Sequence, residues 1–276
     1  MTSATARVSA TPATPARFID TLASEWTKLT SLRSTTITLL LGAILSLGGT
    51  ALIAAVIGST WDDWGATDRA EFDPILTAFF GSIFGGILFV VLGVNAVAAD
   101  YATGMMRLTL TATPRRGRVL LAKVAIVSLV TLGAGAVVTV GMFLVGQAIF
   151  ESYGLSPADL GDPDTRRAIV GAALLGPVFP VIGAALAVLL RSTAGAITTV
   201  LALLFAPAIF GPLLPAWWQE NVLAYLVGPA TDSVVLSHLS PDERMYLDPS
   251  IALAVVAAWL VAFVGTAYLA LIKRDA

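Results

Sequence analysis

Six long apolar runs constrain this chain more than any other feature of its sequence. They lie near residues 36–58, 74–98, 120–148, 168–190, 194–214 and 250–272. Each is long enough for a helix to cross roughly 30 Å of hydrocarbon, which takes about 20 residues. Isolated strands would leave backbone groups unpaired in lipid, and the runs lack the alternation typical of a barrel. The sequence therefore predicts an all-α, polytopic membrane protein with six transmembrane helices.

The composition supports this class. Hydrophobic residues make up 57% of the chain and charged residues 12%, and the mean hydropathy is +0.86. A soluble domain has fewer apolar and more charged residues than this. The chain contains no cysteine, which excludes disulfides, thiolate metal sites and thiol nucleophiles.

The charges outside the apolar runs predict the orientation of the chain. Basic residues flank the second and fourth connections and follow the last run: Arg107, Arg115, Arg116, Arg118, Lys123, Arg191, Lys273 and Arg274. Acidic residues dominate the other three connections: Asp62, Asp63, Asp68, Glu71, Asp73, Glu151, Asp159, Asp162, Asp164, Glu220, Asp232, Asp242, Glu243 and Asp248. Connections rich in Lys and Arg face the cytoplasm, so both termini are expected there, in a multi-pass protein of the cell membrane. Tryptophans at the expected outer headgroup belt support this orientation: Trp61, Trp64, Trp217 and Trp218.

The region before the first apolar run divides into two parts. Residues 1–16 are mostly Ala, Thr, Ser and Pro, and we expect a disordered cytoplasmic tail. Residues 17–276 then form the transmembrane domain. Within it, residues 17–34 predict an amphipathic helix on the inner membrane surface, with one apolar stripe formed by Phe18, Leu22, Trp26 and Leu29. The alternative is a lead-in to the first span that contacts no partner.

The centres of the six runs contain no Asp, Glu, Lys, Arg or His. Proton relays and ion-coupled carriers use ionisable groups inside the membrane, so this pattern counts against both mechanisms. If the protein performs transport, its energy is expected to come from another source.

Glycines in the second run have the spacing of a close helix contact. Gly81 and Gly85 are separated by three residues, the small-xxx-small pattern that lets helix backbones approach each other. The pattern leaves open whether the contact lies within one copy of the chain or between two copies.

Residues 207–249 are predicted to form a re-entrant region on the outer side of the membrane. Pro207 and Pro212 interrupt the fifth run, and Gly228-Pro229 breaks a semi-apolar stretch that is too short to span. This pattern is typical of short re-entrant helices in the outer leaflet, which could form a lid. A surface loop anchored by tryptophan is the alternative.

The sequence contains no recognisable catalytic site. It lacks a phosphate-cradling Gly-x-x-x-x-Gly-Lys-Ser/Thr sequence and the motifs of intramembrane hydrolases. The single histidine, His238, is a weak signal for a metal. We therefore expect a non-catalytic membrane subunit that binds no cofactor or metal itself.

A polar segment at residues 99–118 separates the second and third runs. Asp100 is predicted near the start of a short helix, where a carboxylate would complement the helix dipole. Gly104 would permit the close approach of another surface, and Pro114 would end the helix before a basic cluster. Such a segment could receive a push from a soluble partner. The alternative is that Arg115, Arg116 and Arg118 only enforce topology and contact anionic lipid.

These residues resemble a known family. The block Ala99-Asp-Tyr-Ala-Thr-Gly-Met-Met-Arg-Leu-Thr-Leu110, followed by Pro114-Arg-Arg-Gly-Arg118 and Lys123, resembles a pattern after the second span of ABC-2 type exporter permeases. The short actinobacterial members are the most similar. The opening Ser24-Glu-Trp-Thr-Lys-Leu29, with Arg33, resembles the start of the same family.

The resemblance implies a permease subunit of an ATP-driven ABC exporter. Such a subunit pairs with a second permease, usually an identical copy, and with two ATPase subunits that bind ATP and Mg. It implies a coupling role, in contact with the ATPases, for Glu25, Trp26, Lys28, Asp100, Tyr101, Gly104, Arg107, Pro114, Arg115, Arg116 and Arg118. The expected substrate is apolar or amphipathic and passes an uncharged seam. The rival hypotheses are a non-transporting scaffold or immunity protein and, with less support, an ion-coupled secondary carrier.

Overall fold

The computed structural model describes residues 17–106, 116–235 and 244–273. All regular structure in these ranges is helical, which confirms the all-α prediction. The α-helices are α1 Phe18–Ser31, α2 Arg33–Thr60, α3 Ala66–Ala70, α4 Pro74–Phe79, α5 Ser82–Ala102, α6 Arg116–Ser152, α7 Pro163–Leu175, α8 Val178–Leu190, α9 Thr193–Phe210, α10 Ala216–Asn221, α11 Val227–Val235 and α12 Pro249–Lys273. The predicted tail, residues 1–16, lies outside the described residues.

The described chain contains six helical segments long and apolar enough to cross a membrane, as predicted. They are Arg33–Asp63, Ser82–Ala102, Arg116–Ser152, Pro163–Leu190, Thr193–Leu213 and Pro249–Lys273. The protein is therefore a multi-pass membrane protein by the length and composition of its helices.

The second span is shorter than the predicted 74–98. Asp73 caps α4 by accepting hydrogen bonds from the backbone N–H groups of Ile75 and Leu76, at 2.7 and 3.0 Å. Pro74 follows at the first helical position, an arrangement typical of a helix start. The chain then turns at Phe80 and Gly81, and the spanning helix α5 begins at Ser82.

Helix α5 lies at the centre of the packing, between α2 and α8. A Cβ atom at Gly85 would overlap the backbone oxygen of Gly42 in α2, and one at Gly93 would overlap that of Pro180 in α8. Gly81 faces Ser46 of α2 in the same way. The predicted glycine contact therefore lies within one copy of the chain, where it brings the backbones of α2 and α5 together.

The two ends of the helical bundle differ in charge. One end holds α1, the end of α5, the start of α6 and the end of α12; we call it the basic end. Among the described residues, its charged members are Arg17, Asp20, Glu25, Lys28, Arg33, Asp100, Arg116, Arg118, Lys123, Arg191 and Lys273. The opposite end, the acidic end, holds α3, α10 and the start of α7, and most of its charges are carboxylates.

The described residues between 211 and 235 form short helices that pack into the bundle. The start of α11 is buried, and Gly228 lies against the backbone of Leu203 in α9. The indole N–H of Trp259, in the middle of α12, donates to the carbonyl of Tyr225 at 2.9 Å. These contacts place residues 225–228 beside the middle of α9 and α12. The predicted re-entrant position of this region in the outer leaflet stays a prediction. His238 lies outside the described residues.

Candidate functional site

Four charged side chains from three helices meet at the basic end. Lys123 of α6 places its Nζ atom 2.6 Å from Oε2 of Glu25 in α1 and 2.5 Å from Oδ2 of Asp100 in α5. Lys28 of α1 pairs with the other carboxylate oxygen of Asp100. Lys123 also donates to the backbone carbonyl of Ala96, at 3.2 Å. We call Glu25, Lys28, Asp100 and Lys123 the charged cluster.

The charged cluster is buried and electrically balanced. The exposed fractions of Lys123, Asp100 and Glu25 are 2%, 3% and 7%, and only Lys28 reaches solvent. Two carboxylates face two ammonium groups, so no charge in the cluster is left without an opposite partner. Removing one member of such a set leaves a buried charge uncompensated, which costs about 3–5 kcal/mol.

The sequence of α1 explains how Glu25 reaches the cluster. Thr21, Glu25 and Leu29 recur at intervals of four residues and form the buried stripe of the helix. Trp26 and Phe18 point away from this stripe and are 44% and 40% exposed. Helix α1 thus directs charge towards the protein and aromatic rings outwards, as an interfacial helix does.

The structure also separates α1 from the first span. Leu32 adopts an extended conformation with ψ of 120° between α1 and α2. Helix α1 packs mainly on α6 rather than continuing into α2. Residues Phe18–Ser31 therefore form a helix of their own within the predicted 17–34, and its contact with a partner protein stays a prediction.

The predicted position of Asp100 is wrong. Asp100 lies in the last turn of the long helix α5, not near the start of a short one. A carboxylate near a helix C-terminus meets the negative end of the dipole, which is unfavourable. Lys28 and Lys123 compensate for this cost, because both ammonium groups contact the carboxylate directly.

The structure gives Gly104 a conformational role. Its φ is +71°, and an added Cβ atom would meet nothing within 4 Å. Apart from its chain neighbours, no described atom of the chain itself lies that close, and the predicted approach of a partner's surface stays a prediction. Gly104 follows the end of α5, where the chain needs a left-handed conformation to leave the helix, and glycine adopts this conformation without steric cost.

Tyr101 connects the cluster region to a residue that the sequence did not single out as a site. The guanidinium of Arg191 lies over the Tyr101 ring, 5.6 Å from its centroid. Arg191 ends α8 in a left-handed conformation with φ of 50°. This cation–π contact joins the end of α8 to the end of α5.

The remaining predicted residues lie apart from the cluster or outside the described residues. Arg116 is half-buried, and its Nη1 atom donates to the backbone carbonyl of Leu271 at the end of α12, at 3.5 Å. Arg118 is half-buried near the start of α6. Arg107, Pro114 and Arg115 lie outside the described residues.

Lys123 is the cluster member that sequence reasoning missed as a site residue. It was interpreted as one of the basic residues that set the orientation of the chain in the membrane. It lies, however, seven residues inside α6 and next to apolar neighbours. A lysine within a membrane-spanning pattern is costly unless it is paired, and this cost was the available signal. No group of three or more potential metal ligands is present among the described residues.

Comparison with known proteins adds one family. The sequence profile of a family described as "Protein of unknown function (DUF2705)" matches residues 69–276. This range includes Asp100 and Lys123 but not Glu25 and Lys28. A search of curated proteins finds no match to the chain.

Proposed function

Since the chain belongs to the DUF2705 family, whose function is unknown, we propose a function from the site itself. The protein is the transmembrane permease subunit of an ATP-driven ABC exporter. It moves an apolar or amphipathic substrate outwards, with energy from ATP hydrolysis by two separate ATPase subunits. These subunits bind the ATP and Mg. A second permease copy completes the transporter.

The charged cluster is the observation that carries this proposal. Helices α5 and α6 flank residues 107–115, the polar connection that resembles the coupling segment of ABC-2 permeases. Lys123 and Asp100 tie α1 to both of these helices through buried ion pairs. A force applied to α1 or to the connection would therefore reach two spanning helices at once.

The burial of the cluster refines the role of each residue. Glu25 and Asp100 are engaged with lysines inside the protein, so the proposal gives them a transmitting role rather than direct contact with an ATPase. Trp26 is exposed on α1 and remains available for a partner or for lipid headgroups. Arg107, Pro114 and Arg115 retain the contact role that the resemblance implies.

The position of the charges supports an uncharged pathway. Asp100 lies two residues from the end of α5, and Lys123 lies about 10 Å along α6 at 1.5 Å per residue. Both are therefore far from the middle of their helices. The centres of the six spans hold no ionisable group, so the spans supply no proton or ion carrier there, whereas an apolar substrate fits.

The orientation of the proposal follows from charge. Proteins retain Lys and Arg on the cytoplasmic side, so the basic end faces the cytoplasm of the cell membrane. ATP is available on that side. The same assignment places the charged cluster next to the ATPase subunits.

The test is expression of the chain together with an ABC ATPase subunit from a neighbouring gene. The two proteins should purify as a complex. Inside-out vesicles should take up amphipathic fluorescent compounds with ATP, even when a protonophore collapses the proton gradient. The matched control is a partner ATPase whose P-loop lysine is replaced, which should assemble but not drive uptake.

The rival functions predict different results in the same experiment. Uptake that requires the proton gradient and not ATP would identify a secondary carrier. A chain that binds no ATPase subunit and shows no ATP-dependent uptake, but still protects cells against a toxic compound, would be a scaffold or immunity protein. Either result would overturn the proposal.

A further inference from the structure

A groove of about 510 Å³ lies between three spanning segments, away from the charged cluster. Helix α6 contributes Leu121 and Val124, the junction of α7 and α8 contributes Pro177, and α12 contributes Val264 and Tyr268. The side chains that line it are almost entirely apolar. Val261, at its rim, is 73% exposed, so the groove is open towards the surroundings of the protein.

The groove runs along one half of the membrane-spanning layer. On α6 it extends from Leu121 to Ser128, about 10 Å at 1.5 Å per residue. On α12 it extends from Leu260 to Tyr268, about 12 Å by the same measure. One leaflet provides about 15 Å of hydrocarbon, half of the roughly 30 Å core. The groove is therefore matched to a chain that lies within one leaflet.

Basic residues lie on the neighbouring turns of α6 and α12 beyond the end of the groove at the basic end. The Tyr268 ring and hydroxyl pack against Gly117, where a Cβ atom would overlap them. Arg116 bridges to the carbonyl of Leu271 and so connects α6 to α12 at the same level. Arg118 lies three residues before Leu121, on the neighbouring turn of the same helix face. Exposed Lys273 ends α12.

We propose that this groove is a binding site for an anionic phospholipid of the leaflet at the basic end. One acyl chain lies between α6, α8 and α12, and the phosphate lies near Arg118, Lys273 and the Tyr268 hydroxyl. Apolar contact fixes the chain, and the basic residues select the headgroup. This inference does not rest on the proposed function.

Charge complementarity decides the occupant. Arg118 and Lys273 attract a phosphate at the level where lipid headgroups lie, and each basic residue near an anionic surface adds to the attraction. A helix from a second copy would fit the groove only if its end at the level of the headgroups were apolar or acidic. A neutral apolar substrate would gain nothing from the basic residues at the mouth.

Position 265 offers a way to introduce a side chain into the groove. Gly265 lines it, and a Cβ atom at this position would meet nothing within 4 Å. Gly265→Leu therefore places a side chain where the acyl chain lies. Gly48→Leu is the matched control, because Gly48 of α2 also has open space within 4 Å but lies outside the groove.

The headgroup contact has its own pair of variants. Arg118→Gln removes a basic residue at the mouth of the groove. Arg33→Gln is the control, because Arg33 is exposed at the same basic end but starts α2, which does not line the groove.

The experiment measures binding of phosphatidylglycerol and phosphatidylcholine to the delipidated full chain by native mass spectrometry. We expect the wild-type chain and both control variants to prefer phosphatidylglycerol. Arg118→Gln should weaken phosphatidylglycerol binding about fivefold and leave phosphatidylcholine unchanged. Gly265→Leu should weaken the binding of both lipids.

Three results would overturn the inference. The first is equal binding of the two lipids by the wild-type chain. The second is an equal effect of Arg118→Gln and Arg33→Gln. The third is a Gly265→Leu variant that binds both lipids normally, and a change of its oligomeric state at the same time would identify a second copy as the occupant.

Discussion

The Nζ atom of Lys123 lies 2.6 Å from Oε2 of Glu25, a residue 98 positions earlier in the chain. This contact fixes α1 against α6 through a buried ion pair rather than through apolar packing alone. Since Lys123 also contacts Asp100, the same ammonium group joins α1, α5 and α6. The position of α1 therefore depends on charge.

The Lys123→Met variant should strongly destabilise the protein. It leaves the carboxylates of Glu25 and Asp100 without Lys123, and a broken buried pair costs about 3–5 kcal/mol. Thermal unfolding in detergent measures the effect. Lys273→Met, which removes an exposed lysine at the same end, is the control and should unfold close to the wild type. Equal stability of the two variants would show that the cluster contributes nothing.

The two carboxylates should differ in importance. Glu25→Gln leaves Asp100 as the partner of both lysines, whereas Asp100→Asn leaves Lys123 with Glu25 only and deprives Lys28 of its carboxylate partner. Asp100→Asn should therefore be the more destabilising variant. In a double-mutant cycle, Glu25→Gln combined with Lys123→Met should cost less than the sum of the single changes, because the two residues interact. Additive free energies of unfolding would contradict the pairing.

The Gly104→Ala variant should destabilise the end of α5 by about 1–2 kcal/mol, the cost of a left-handed conformation for a residue with a Cβ atom. Steric overlap does not contribute, because the surrounding space is open. Gly133→Ala is the control. Gly133 also has open space but lies inside α6, where alanine favours the helix. The prediction fails if both variants unfold at the same temperature.

Two neighbouring glycines of α5 should respond in opposite ways to the same change. A Cβ atom at Gly85 overlaps the Gly42 backbone oxygen, whereas one at Gly86 meets nothing within 4 Å. Gly85→Ala should therefore separate α2 from α5 and lower the unfolding temperature. Gly86→Ala should leave it unchanged or raise it slightly, since alanine is the better helix former. Similar temperatures for both variants would argue against the observed α2–α5 contact.

Asp232 of α11 should make stability depend on pH. Surrounding protein atoms desolvate this carboxyl group and raise its pKa from 3.8 to about 6. Its side chain is nevertheless exposed, so the effect on stability is smaller than for a buried group. The folded state holds the proton more tightly than the unfolded state, so stability falls as the pH rises from about 4 to about 6. Asp232→Asn should remove this fall. Unfolding temperatures of both forms across this range test the prediction, and parallel curves would contradict it.

The sequence was sufficient to predict the helices but not how they pair. Length and hydropathy locate the spans because hydrocarbon thickness fixes how many apolar residues a helix needs. The break at Phe80 and Gly81 was missed because the residues there are apolar, and only the Asp73-Pro74 start signal marks a new helix. The glycine spacing of Gly81 and Gly85 predicted a close contact but could not identify its partner.

The charged cluster shows the same limit. Glu25, Lys28 and Asp100 were selected as candidate residues, but as groups that face a partner protein. Their burial depends on Lys123, and nothing in a single sequence indicates which charges meet across 98 positions. The helix that holds Asp100 was also misjudged, because the polar residues after Ala99 resembled a new element rather than the last turn of α5.

ATP hydrolysis by the purified complex with an ABC ATPase subunit, measured per assembled complex, tests the proposed coupling most directly. Asp100→Asn removes one charge from the cluster, and Glu220→Gln removes one exposed charge at the acidic end. We predict that both variants assemble, that Glu220→Gln hydrolyses ATP at the wild-type rate, and that Asp100→Asn hydrolyses it several-fold more slowly. Equal rates for the two variants would contradict a role of the charged cluster in transmission.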